Sequence, residues 1–226
     1  AVKGLGRNST DCAFISRLVY GVVERKITLD YIISKYLSKP LLKTKTDVIV
    51  ILRLGVYQLL FSDKIPTSAA VNESVNLAKT NKCAYASGMI NAVLRKISQD
   101  DLCFDGIEDT SERISVEYSA PVEFVKFLQY HYGTDNTVLF LKSALEPKKI
   151  FVKVNTTKIT SDALIDILKD EGVTADKTYL ENALVLKLNG AVYDLESYKK
   201  GYFHVEDLSS QLCVEALGAF EGCNAI

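Results

Sequence analysis

The sequence predicts an all-α helical bundle followed by a smaller α+β domain, and three features carry that expectation. A nearly unbroken apolar run spans Val48 to Phe61, apolar residues recur at helical spacing on both sides of it, and in the second half the period shifts in places to two. The run, V-I-V-I-L-R-L-G-V-Y-Q-L-L-F, carries one charge, Arg53, and one amide, Gln58. It is shorter than the roughly twenty apolar residues that cross a bilayer. Its apolar positions go all round the helical wheel, which predicts a helix buried on every side and therefore the axis of a bundle.

The flanking segments supply the other members. From Asp11 to Glu24, Phe14, Ile15, Leu18, Val19, Val22 and Val23 form a helical stripe, with Thr10 or Asp11 as its cap. Thr28 opens a second helix with Leu29, Ile32, Ile33, Tyr36 and Leu37 on one face, and Pro40 ends it. After the central helix, Pro66 starts a segment bearing Ala70, Val71, Val75 and Ala78, and Tyr85, Met89, Ile90, Val93, Leu94 and Ile97 line a fifth helix. Ala1 to Ser9 contains Gly4, Gly6 and Asn8, which oppose a helix.

Ser98 to Ser111 is acidic with little apolar pattern, so the expected organisation is a helical domain over 1–98, a linker over 99–111 and an α+β domain over 112–226. In the last, Pro121 begins a helix closed by Gly133, and another runs from Asn136 to Leu145. Ile150, Val152 and Val154 alternate as a strand. Ser161–Glu171 reads as a helix, Ala183–Leu188 and Tyr202–Val205 as strands, and Asp207 caps a last helix that Gly218 ends.

A length of 226 residues suits one large domain or two of ordinary size, and 48% apolar with 24% charged residues is the balance of a soluble globular protein. The five cysteines (Cys12, Cys83, Cys103, Cys213, Cys223) are odd in number and widely spaced, and there are two histidines. That predicts neither a disulfide framework nor a zinc site, no metal partner, and a reducing cytoplasmic setting. No segment predicts a membrane span.

The net charge of −1 conceals an asymmetry. Residues 1–100 hold fifteen Lys/Arg against seven Asp/Glu, whereas residues 101–226 hold twelve against twenty-one, so the first half favours an anionic partner.

No Gly-rich phosphate loop or metal-spaced acidic cluster occurs, and no cysteine has the neighbours of a nucleophile. Cys83 follows Lys82 and is a candidate for exposure, but each cysteine reads first as a packing residue or a bystander, and His131, among Tyr130 and Tyr132, reads as structural. The residues fit nucleic acid better, with a solvated basic face as the alternative. Arg7, Arg17, Arg25, Lys26, Lys82, Arg95 and Lys96 fall at helix ends or on polar faces, with Tyr20 and Tyr85 available for stacking. Arg53 requires a carboxylate; Glu73 is the expected partner and Asp47 the next.

Five segments of the first half carry a family resemblance: D-C-A-F-I-S-R-L-V-Y-G-V-V (11–23), L-D-Y-I-I-S-K-Y-L (29–37), I-L-R-L-G-V-Y-Q-L-L (51–60), I-P-T-S-A-A-V-N-E-S-V-N-L-A-K (65–79) and I-N-A-V-L-R-K-I (90–97). They resemble the NusB-like RNA-binding domain, and in particular that domain as it begins the bacterial 16S rRNA cytosine-5 methyltransferases of the RsmB (Sun) type. F-V-K-V-N-T-T-K (151–158) and H-V-E-D-L-S-S-Q-L (204–212) resemble that family's next, RRM-like or ferredoxin-like, subdomain, with Lys153 and Glu206 in place of the family's arginine and glutamine.

The resemblance implies RNA, 16S rRNA foremost, as partner. It also implies S-adenosyl-L-methionine as the parent protein's cofactor, and covalent catalysis by a cysteine added to cytosine C6. It further implies that a first helix precedes this chain, and that G-C-N-A-I (222–226) leads into a cofactor domain. Asn155, Lys158, Asp207, Ser209, Ser210 and Gln211 would then lie near that domain. The family's D-x-C-A-x-P-G-G-K loop does not occur in residues 1–226. The expectation is an RNA-recruiting region that transfers no methyl group by itself. The alternative is a non-enzymatic NusB-like antitermination factor.

Overall fold

The computed structural model describes residues 9–101, 103–104, 106–146, 149–188 and 190–218. Arg7, the glycines before Ser9, Cys223 and the 222–226 segment lie outside them. The chain divides between residues 146 and 147 into two compact units.

In the first unit, α1 (Ser9–Glu24), α2 (Lys26–Tyr36), α3 (Thr46–Phe61), α4 (Thr67–Thr80) and α5 (Ser87–Ile97) form the bundle. The central helix α3 packs on α1, α2, α4 and α5, and its Val48, Ile51, Leu52, Gly55, Val56 and Tyr57 are buried. Its burial is not complete on every side, since Val50 is exposed and Arg53 and Gln58 are half-buried. The core joins these residues to Leu29, Ile32, Ile33, Val71, Ile90, Leu94 and Ile97. Each such side chain taken from water contributes about 2 kcal/mol. The stripe expected on α1 is wider than the surface that α1 covers: Leu18 and Val22 meet the core, whereas Phe14, Val19 and Val23 are exposed. Helix α1 is already under way at Ser9, so neither Thr10 nor Asp11 is its cap, and Thr28 lies within α2 rather than before it.

Helix α6 (Thr110–Tyr118) is absent from the sequence expectation. Only Ile114 and Ser115 of it are buried, so it has almost no apolar period to read. Its legible mark is a cap: Asp109 accepts the Glu112 amide at 2.9 Å, with a glutamate three residues after the cap. The helix docks on α2. Thr28 Oγ1 donates to the Val116 carbonyl at 2.5 Å, and the Ile27 amide donates to Ser119 Oγ at 3.0 Å. Helix α7 (Val122–Ala144) contains a break at Gly133 (φ 77°, ψ 166°), which leaves the two helical halves that the sequence predicts. Phe124 and Phe140 face each other across the break with ring centres 6.4 Å apart. The division by compactness falls later than residues 99–111 because α6 packs against α2 and α7 against α6.

Beyond α5, the Tyr36 hydroxyl donates to the Asp100 carboxylate, which pushes the phenol from 10.0 up to about 12. A folded-state value above the unfolded one means that this link stabilises fully below pH 10.0 and is lost as pH rises through about 12. In an alkaline spectrophotometric titration, Tyr36→Phe is expected to remove one late-ionising phenol. An unchanged late phase would show that another tyrosine is responsible.

The second unit holds β1 (Ile150–Val154), α8 (Ser161–Asp170), β2 (Thr174–Lys177), β3 (Ala183–Lys187), α9 (Glu196–Lys199), β4 (Phe203–Val205) and α10 (Leu208–Leu217). The sheet order is β2-β3-β1-β4, and every pairing is antiparallel. Strand β3 thus lies between β1 and β2, a split β-α-β arrangement. Val152, Val154, Leu184, Leu186 and Phe203 meet Leu164 and Leu168 of α8 in its core. Strand β2, T-A-D-K, escapes sequence reading because it is a polar edge whose charges protect unpaired backbone. Glu171 accepts the Ser197 amide at 2.9 Å and its hydroxyl at 2.6 Å, fixing the start of α9.

Candidate nucleic-acid interface

The bundle presents the sequence-predicted basic residues at several places. Arg17 is exposed on α1. Arg25 and Lys26 stand at the junction of α1 and α2, where the Arg25 guanidinium lies 4.6 Å from the Phe61 ring centre and Lys26 pairs with Asp30 at 3.0 Å. Arg95 and Lys96 are exposed in the last turn of α5, and Arg95 Nε donates to Asn91 at 3.1 Å. Lys82 is exposed in the α4–α5 turn with φ 57°. Tyr20 and Tyr85 are both largely exposed. Arg7 lies outside the described residues.

Tyr85 lines a cleft that helical periodicity does not mark. Lys39, Lys43 and Lys45 line it with Leu37, Ser38, Thr44, Val48, Tyr85, Ala86 and Met89, around a volume of about 380 Å³. Lys45 Nζ lies 5.1 Å from the Tyr85 ring centre. A sequence signal existed, since residues 31–46 carry four lysines and no acid. Three of the four, Lys39, Lys43 and Lys45, belong to the loop that joins α2 to α3 and so have no helical period.

Arg53 is paired with neither Glu73 nor Asp47. Its Nε and Nη2 reach Asp30 Oδ1 and Oδ2 at 2.6 and 2.8 Å. Asp30 lies on α2, which packs along α3, and the separation of 23 residues in sequence hides the pair. Cys83 is buried in the bundle core as a packing residue. His131 is exposed beside Phe127, with ring centres 4.5 Å apart.

In the second unit, the residues implied by the resemblance fall into two groups at opposite ends of β4. Asn155 Nδ2 donates to the Gly201 carbonyl and Lys158 Nζ to the Lys200 carbonyl, at 3.0 and 2.9 Å. Both therefore tie the β1–α8 loop to the turn before β4. At the other end Asp207 caps α10, accepting the Leu208 amide and the Ser209 hydroxyl, each at 3.0 Å. Ser210 is exposed. Gln211 is 1% exposed; its Nε2 donates to the Glu206 carbonyl at 3.0 Å, while its Oε1 has no partner among the described residues.

The described residues do not fit S-adenosyl-L-methionine. The sheet is antiparallel throughout, no Gly-rich turn leads from a strand into a helix N-terminus, and Asn155 and Lys158 of the β1–α8 loop are engaged with backbone. Among the described residues no group of His, Cys, Asp and Glu is arranged for a metal, and no helix is long and apolar enough to cross a membrane.

Comparison with known proteins identifies two domain types. Residues 3–99 match the NusB family, and residues 121–193 match "Methyltr_RsmF/B-like, ferredoxin-like domain". The chain is 34% identical over 204 residues to the probable ribosomal RNA small subunit methyltransferase B of Bacillus subtilis (strain 168), covering 90% of this chain and 45% of that protein. It is 30% identical over 211 residues to the probable ribosomal RNA small subunit methyltransferase B of a Synechocystis species, covering 92% and 47%. With the ribosomal RNA small subunit methyltransferase B of Citrobacter koseri the identity is 29% over 213 residues, covering 94% and 49%. The chain thus spans about half the length of the curated relatives it matches. A solved structure, "Crystal Structure of PH0851", shares the fold with a TM-score of 0.67 at 18% identity, covering 95% of this chain and 48% of that one. Residues 3–99 thus carry a NusB-family domain and residues 121–193 a ferredoxin-like domain of the RsmF/B type, and in that order the two match RsmB/Sun-type ribosomal RNA methyltransferases over part of their length.

Proposed function

We propose that this chain is the RNA-binding, substrate-recruiting region of an S-adenosylmethionine-dependent methyltransferase that acts on cytosine C5 of ribosomal RNA, 16S rRNA foremost. The observation that carries the reading is the pairing of a NusB-family domain with an RsmF/B-type ferredoxin-like domain, in that order, along most of the chain. The positive balance of the first hundred residues supports it, because backbone phosphates are held chiefly by Lys and Arg. Arg17, Arg25, Lys26, Lys82, Arg95 and Lys96, with Arg7, supply that charge. Residues 1–226 hold no D-x-C-A-x-P-G-G-K loop, so the role assigned to them is to bind and position the nucleic acid. In the second unit, Asp207, Ser209, Ser210 and Gln211 are the residues we assign to the neighbourhood of the cofactor domain, and Asn155 and Lys158 to holding the sheet end in shape. A NusB-like antitermination factor would account for the bundle, but it leaves the ferredoxin-like domain without a role. The working compartment in this reading is the cytoplasm.

The test is affinity for single-stranded fragments of 16S rRNA, measured by fluorescence anisotropy across a salt series. Log affinity is expected to fall with log salt with a slope of about −0.7 for each phosphate contacted. Binding that ignores salt, or no binding at all, would sink the reading.

A further inference from the structure

We infer that the cleft between the α2–α3 loop and Tyr85 is a binding site for single-stranded RNA, with Lys39, Lys43 and Lys45 on the phosphates and a base stacked on the Tyr85 ring. The inference rests on the RNA-binding reading above and gives it a location.

The loop is held in shape before any ligand arrives. Pro40 fixes the turn, the Lys43 amide donates to the Pro40 carbonyl and the Thr44 amide to the Leu41 carbonyl, each at 2.9 Å. Lys39, Lys43 and Lys45 are exposed, and among the described residues none of them forms an ion pair; the Lys45 ammonium lies over the Tyr85 ring, and no carboxylate neutralises the three charges. The nearest acid in sequence, Asp47, lines the adjoining hollow with Lys82 rather than this cleft. Tyr85 is 65% exposed although its neighbours Cys83 and Ala86 are buried, so the chain holds a rigid aromatic ring outward on a packed base.

The chemistry of the walls selects the ligand. An acidic peptide would satisfy the lysines and leave the ring unused. A duplex would offer phosphates but keep its bases stacked on one another. A single strand offers both phosphates and an unstacked base face, which is what a lysine cluster beside an exposed ring accommodates. A volume of about 380 Å³ suits one splayed nucleotide rather than a helix.

The protein contains no tryptophan, so Tyr85→Trp makes the site its own reporter. Oligoadenylate is expected to quench that single indole, whereas polyglutamate is not. The triple variant Lys39→Gln, Lys43→Gln, Lys45→Gln is expected to reduce the steepness of the salt dependence by about 2, and Tyr85→Ala to weaken binding about tenfold. Circular dichroism checks that these surface variants keep their helices. If wild type binds RNA but the triple variant has the same salt slope, or if polyglutamate quenches the indole as strongly as RNA, the cleft assignment is overturned while general RNA binding stands. If wild type shows no salt-dependent RNA binding, the broader reading fails with it.

Discussion

Gly55→Ala and Leu94→Ala combined in one chain are expected to cost less stability than the two changes summed. Gly55 marks the point where α3 receives both α4 and α5. A Cβ placed there would lie 2.7 and 2.9 Å from the two Leu94 methyls and 2.7 Å from Ser74 Oγ. None of these atoms has room to retreat: Leu94 is fully buried, and the Ser74 hydroxyl is held to the Ala70 carbonyl at 2.8 Å. Overpacking of this kind costs about 1–3 kcal/mol, against about 1 kcal/mol gained by replacing a mid-helix glycine with alanine. Leu94→Ala alone leaves a cavity at the same junction and is expected to cost about 3–4 kcal/mol. In the double variant the new methyl enters that cavity, so a coupling of about 1 kcal/mol in the favourable direction should appear. Urea midpoints followed by helical circular dichroism measure all four corners of the cycle. Strict additivity would mean that the two positions do not share space.

The same junction illustrates what the sequence makes legible. The central helix announces itself because a run as apolar as Val48–Phe61 has no place except inside a bundle, and the helices around it show one apolar face each. Strands β1 and β3 are equally plain, since their buried residues alternate or crowd together between breakers. What escapes is whatever owes its conformation to a neighbour. Helix α6 is held by a cap and two hydrogen bonds to α2, not by an apolar stripe, and β2 is a polar edge defined by its pairing with β3. The candidate interface divides in the same way. Basic residues at helix ends can be found by eye, yet the cleft at Tyr85 exists only because the loop after α2 folds back beside the turn before α5. Loop lysines distant in sequence from their aromatic partner leave no periodic trace.

The Asp30–Arg53 pair is the clearest case of a contact that spacing cannot reveal, and removing its acid is the second large effect expected. Asp30→Ala strips the carboxylate from a guanidinium whose side chain is 19% exposed, with Asp30 itself at 21%. Breaking a fully buried pair from one side costs about 3–5 kcal/mol; the partial access of water here brings the expectation down to about 2–3 kcal/mol. The geometry justifies most of that figure, because two parallel charge-assisted bonds at 2.6 and 2.8 Å are lost together. Lys26 also reaches Asp30, at 3.0 Å, but its side chain is 56% exposed, so Lys26→Ala should cost no more than about 0.5 kcal/mol. Glu73→Ala, at the exposed residue that spacing favours as the partner, should stay within about 0.5 kcal/mol of wild type. Replacing both members at once, Asp30→Leu with Arg53→Met, removes the stranded charge along with its partner and should recover most of the loss. Urea unfolding of these four variants separates the alternatives. A large cost at Glu73 with little at Asp30 would place the guanidinium elsewhere, and a double variant as unstable as Asp30→Ala would show that shape rather than the unpaired charge sets the penalty.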